Sequence, residues 1–189
     1  MAAKLTVSRS IGTLPFAAFV VVAINAFYMT FVAFGNITDP DTNKPFVEHV
    51  LSMDTTNFGA GEGVNLDPDT MWRAIENPTI HTIAYIGLIV WETIAALVLL
   101  WAIVWWVRGI RGAGFDRARR WSTIGLLMIV ILFFCGFITI GGEWFQMWKS
   151  VEWNGLEPAF RNSVLALFGI LLCYIPSRDW GEDIAAVER

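Results

Sequence analysis

The sequence predicts an all-α membrane protein: a four-transmembrane-helix bundle with a long structured extracytoplasmic loop between helices 1 and 2. Three observations carry this expectation. Of the 189 residues, 56% are hydrophobic, which is too apolar for an ordinary soluble domain of this size. Four stretches match the roughly 20 apolar residues that a hydrocarbon layer of about 30 Å requires. Most charged residues are segregated into the connections between those stretches, so the chain reads as one integral membrane domain.

The first span is expected at 11–34. Lys4 and Arg9 precede it as they would precede a secretory signal, but the apolar run is longer than a signal core and no small-residue cleavage site follows, so an uncleaved helix is expected. The outer loop, 35–78, opens on the turn-rich NITDPDTN and continues into PFVEHVLSMD. There Phe46, Val50 and Met53 recur at helical spacing, which predicts a short amphipathic helix lying on the membrane surface or on the bundle. GAGEGVNLDPDT, at 59–70, reads as irregular.

The second span is expected at 79–107 and the third at 121–140. Between them, 108–120 holds Arg108, Arg111, Arg117, Arg119 and Arg120 against Asp116 alone, so this loop is assigned to the cytoplasm. The fourth span, 158–175, has Pro158 as a start signal and Pro176 as a stop. Four spans then place both termini, including the tail 176–189, inside, and the acidic loop 35–78 outside. The tryptophans agree: Trp101, Trp105, Trp106 and Trp121 fall near the inner boundary and Trp72, Trp144, Trp148 and Trp153 near the outer one, where amphipathic rings settle.

Chemistry is sparse. Cys135 and Cys173 both lie in spans, which excludes a disulfide framework. His49 and His81 cannot face each other across a bundle to ligate haem. No phosphate-binding loop, HExxH or GxSxG is present and no nucleophile is evident, so no enzyme, catalytic residue, cofactor or metal is expected. Nothing is basic enough to suggest nucleic acid. The outer face offers one candidate interaction site: His49, Met53 and Asp54 on the loop helix, with Glu143, Trp144 and Trp148 from GGEWFQMWKSVEWNG, where Trp144 and Trp148 fall on one helical face.

NITDPDTNKPFVEHVLSMDTT, MWRAIENP, the spacing of Tyr85 to Glu92, and GGEWFQMWKSVEWNGLEPAFR together resemble a bacterial family of predicted small integral membrane proteins, a domain of unknown function. The resemblance implies four transmembrane helices in a bacterial membrane and no established reaction.

The most pointed residue is Glu92, inside YIGLIVWETIAALVLLW. It lies about 20 Å of helix from Thr79 and about 24 Å from Arg108, close to the midplane, with Trp91 beside it and Asn25 of the first span at similar depth. No Lys, Arg or His within a span is expected to pair with Glu92 directly, so burial favours a neutral acid that hydrogen-bonds Asn25 or Trp91. Thr79, His81, Thr82, Tyr28, Thr30 and Thr139 could line a shallow outward vestibule. Two functions follow: an accessory or interaction subunit of a larger complex in the bacterial inner membrane, joined to a protein partner or to copies of itself; and, as the alternative, a proton- or cation-coupled transporter or channel-forming oligomer using Glu92.

Overall fold

The computed structural model describes residues 11–180; the expected cytoplasmic placement of the two termini falls on segments outside the described residues. The chain is helical, with four helices long and apolar enough to cross a membrane: α1, Leu14–Thr38; α3, Pro78–Arg108; α4, Asp116–Trp144; and α5, Leu156–Tyr174. A shorter helix, α2, spans Pro40–Ser52. The four-span fold expected from hydropathy is present; α1 begins later than expected and runs on to Thr38, and α4 extends beyond 121–140 at both ends.

The antiparallel helices pack in the order α1, α3, α4, α5, with α5 closing back on α1. We call the end bearing residues 39–77 and 145–155 the cap end and the other the tail end. Small residues line the interior: Ala18 and Ala26 of α1, Ala95 and Ala102 of α3, Ala118 of α4 and Ala166 of α5 are fully buried. Lipid tails are as apolar as leucine side chains, so burial alone does not join helices in a membrane, and small residues join them by letting backbones approach. Gly125 of α4 is the tightest such contact: a Cβ there would lie 2.6 Å from Leu99 Cγ, and Leu99 is itself fully buried. Gly125→Ala is therefore expected to lower stability by about 1–3 kcal/mol in a micellar unfolding titration; an unchanged midpoint would show that Leu99 can yield.

Proline and asparagine set the cap-end boundaries. Asn77 caps α3 by accepting from the Thr79 N–H, and Pro78 occupies the first helical position, where its missing N–H costs nothing. The turn expected at 36–43 is far shorter than NITDPDTN suggested. Residues 36–38 continue α1, Thr38 Oγ1 donates to the Phe34 carbonyl, and only Asp39 separates α1 from α2, whose first residue is Pro40.

The loop helix therefore begins before Pro45 and lies on the bundle. Phe46 stacks on Phe137 of α4 with centroids 5.9 Å apart, and Met53, fully buried, ends α2 in the left-handed region at φ 55°. α4 meets α5 closely at Gly142, where a Cβ would lie 2.8 Å from Leu156 Cδ2.

At the tail end the interfacial reading of the tryptophans needs a correction. Trp106 is fully buried and donates to Ser122 Oγ at 2.9 Å. It packs against Phe19, Phe115 and Trp180, because the segment after α5 folds back and inserts Trp180 under the bundle. Arg108 and Arg117 stack on Trp105, at 4.9 and 4.6 Å from its ring centre.

Candidate functional site

The site is built where α1 ends. A helix leaves its last carbonyls without intrahelical donors, and at Asn36 the residue four positions on is Pro40, which has no N–H. The Asn36 carbonyl instead accepts from the Tyr85 hydroxyl at 2.9 Å. Seven residues, two helical turns, separate Tyr85 from Glu92, so both face α1. Glu92 Oε2 accepts from Asn36 Nδ2 at 2.7 Å, and Asn36 Oδ1 accepts from Asn43 Nδ2 of α2 at 2.7 Å. Asn36 thus holds three elements together: its side chain is donor to α3 and acceptor to α2, while its carbonyl binds Tyr85.

Glu92 is 95% buried, with a relative exposure of 5%, yet it lines a cavity of about 380 Å³ with Asn36, Asn43, Tyr85, Tyr28 and Asn162. Across the cavity, Asn162 of α5 donates to the Tyr28 hydroxyl at 2.6 Å. Aromatic rings of Phe31, Phe46, Phe133 and Phe137 complete the walls. Glu92 is the one ionisable acid in the lining, and among the described residues no Lys, Arg or His reaches it. Of the lining residues, Tyr28 and Phe31 of α1 and Asn43 of the cap helix α2 are exposed. Toward the tail end Val22, Ala26, Ala95, Leu99 and Ala102 are fully buried and close the bundle with apolar side chains.

Glu92 clamps α1 to α3, as expected, but through a different asparagine. Asn25 donates to the Val21 carbonyl of its own helix at 2.9 Å, and Trp91 Nε1 donates to the Met128 carbonyl of α4 at 3.0 Å. Counting depth from the start of each apolar run misplaces the pair, because Asn25 lies 11 residues, about 16 Å of helix, from Asn36. Glu92, near the middle of α3 (Pro78–Arg108), consequently sits beside the last turn of α1. Of the expected vestibule only Tyr28 lines the cavity. Thr30, Thr82 and Thr139 bond carbonyls of their own helices, and His81 bonds the Ile75 carbonyl.

The residues expected to form one outer interaction site divide into separate places. His49 Nδ1 bonds the Asp54 carboxylate at 2.9 Å and its ring stacks on Trp153 at 4.6 Å. Met53 is buried beneath them and offers no outward sulfur. Glu62 comes close enough that one ligand atom each from His49, Asp54 and Glu62 lies within 4.8 Å of the others, a spacing a divalent cation could bridge, although the Asp54 and Trp153 contacts already account for how His49 is held.

Glu143 is exposed and, with Trp144, lines a different, shallow depression alongside Thr139, Ile140 and Phe145. Trp144 pairs with Trp72, and Arg73 lies over both rings. Trp148 pairs with Phe58. The two tryptophans share no helical face because α4 ends at Trp144 and Gln146 turns left-handed at φ 53°.

Residues 14–176 match the family described as predicted small integral membrane protein (DUF2165). No curated protein and no solved structure matches the chain.

Proposed function

This chain belongs to the family of predicted small integral membrane proteins, and on that premise we propose that it is a non-enzymatic accessory protein of a bacterial inner-membrane complex that works by binding at its cap end. One observation carries the reading. The polar cluster of Glu92, Asn36 and Asn43 lines a cavity that reaches exposed Asn43 of the cap helix, and the fully buried Val22, Ala26, Ala95, Leu99 and Ala102 lie on the other side. A transport path needs polar groups along its length. A closed recess with one acid at its wall instead suits a receiving site.

The arginines at 108–120 support a cytoplasmic tail end and hence an extracytoplasmic cap. The exposed ring pairs Trp72 with Trp144 and Phe58 with Trp148 supply cap surface that a partner subunit would bury.

Purified from its native membrane in mild detergent, the protein is expected to retain a stoichiometric partner; reconstituted alone in liposomes, it is expected to pass no protons or cations. Flux from the isolated protein that Glu92→Gln abolishes would overturn the reading in favour of a transporter or channel-forming oligomer.

A further inference from the structure

We propose that the cavity takes an amphiphilic amine, with its ammonium group against Glu92 and its apolar body under α2. The inference rests on the receiving-site reading and adds the chemistry of what is received. It starts from charge. The lining contains one carboxyl group, from Glu92, together with asparagine amides and two phenols, and among the described residues no cationic side chain. An anionic ligand would meet the Glu92 carboxyl group and no counter-ion, whereas an ammonium group supplies the cation that the lining does not.

The walls suit the same group. Tyr28, Phe31, Phe46, Phe133 and Phe137 line the cavity, and aromatic faces attract cations most strongly where water is excluded. Asn36 already holds one carboxylate oxygen, so Glu92 is oriented before the ligand arrives, which lowers the ordering cost of binding. Seated there, an ammonium N–H donates to the Glu92 carboxylate as a charge-assisted hydrogen bond.

A second cavity adjoins the first. It has a volume of about 210 Å³ and is lined almost entirely by apolar groups, among them Val50, Leu51, Ile140 and Met147. Phe46, Val47, Leu88 and Phe137 belong to the walls of both. A polar recess with an acid, joined along one wall to an apolar one, matches a molecule with an amine at one end and a hydrocarbon or aromatic body at the other. A phospholipid carrying an ethanolamine headgroup fits less well, since its phosphate would enter a wall that holds a carboxyl group and no cationic side chain.

The test uses the full chain in phosphatidylcholine nanodiscs, with phenethylamine as probe and 2-phenylethanol as its uncharged counterpart, followed by equilibrium dialysis. Phenethylamine is expected to bind saturably and at least about tenfold more tightly than the alcohol. Glu92→Gln, which keeps the shape and the bond from Asn36, is expected to remove that preference. Val47→Trp, on the cap helix, is expected to block both probes, and nanodiscs containing phosphatidylethanolamine are expected not to compete.

Equal binding of amine and alcohol, unaffected by Glu92→Gln, would overturn the ligand class while leaving the receiving site intact. Competition by phosphatidylethanolamine would assign the cavity to a lipid headgroup and would likewise overturn the proposal. Saturable binding of neither probe would overturn the receiving site itself.

Discussion

Asn36→Ala is expected to destabilise the bundle by about 1–3 kcal/mol, whereas Asn25→Ala should change stability by less than about 0.5 kcal/mol. Removing the Asn36 side chain severs the bond to Glu92 and the bond from Asn43 together, leaving a carboxyl group that is 5% exposed without its donor. That loss exceeds the average cost of a single interhelical bond in a membrane because two bonds fail and one partner is stranded. Asn25 spans no interface, since its amide returns to Val21 of the same helix. Unfolding both variants in mixed micelles separates the cases, and an Asn25 effect as large as that of Asn36 would restore the pairing expected from depth counting.

Trp106→Ala is the second large effect, expected to cost about 3–5 kcal/mol. The ring is fully buried, packs on Phe19, Phe115 and Trp180, and donates to Ser122, so truncation leaves a cavity where three elements meet. Trp101 provides the control. It is 44% exposed on the outside of the same helix, and Trp101→Ala is expected to stay within about 1 kcal/mol. Similar losses in the two variants, read by the same micellar unfolding, would place Trp106 at the lipid boundary after all.

The contrast between these two tryptophans shows what the sequence could and could not reveal. Hydropathy alone located four spans, since about 20 apolar residues announce a membrane helix whatever it packs against. It could not say which tryptophan the folded-back Trp180 would cover, because that contact joins residues 74 positions apart.

The site was hidden for a related reason. Asn36 stands in NITDPDTN, and the density of turn-forming residues there argues for a loop. The helix nevertheless continues to Thr38 before Pro40 starts the next one. Two signals were available in the chain: Tyr85 and Glu92 are two turns apart on one face, and Pro40 deprives the Asn36 carbonyl of its ordinary donor. Together they mark Asn36 as a residue that needs a partner on the second span. The cavity itself could not be read, because its far wall of Tyr28 and Asn162 depends on α5 closing back on α1.

Cysteine accessibility tests the central claim, that Glu92 lines a recess entered from the cap end and closed toward the tail. With Cys135→Ser and Cys173→Ala as background, single cysteines are introduced at Asn43, Asn162, Ala26 and Ala95 and challenged with a membrane-impermeant thiol reagent in sealed vesicles. Cysteines at 43 and 162 should react only from the side that exposes residues 59–70, and those at 26 and 95 from neither side. Labelling at 26 or 95, or labelling at 162 from the opposite face, would show a path through the bundle and contradict the account.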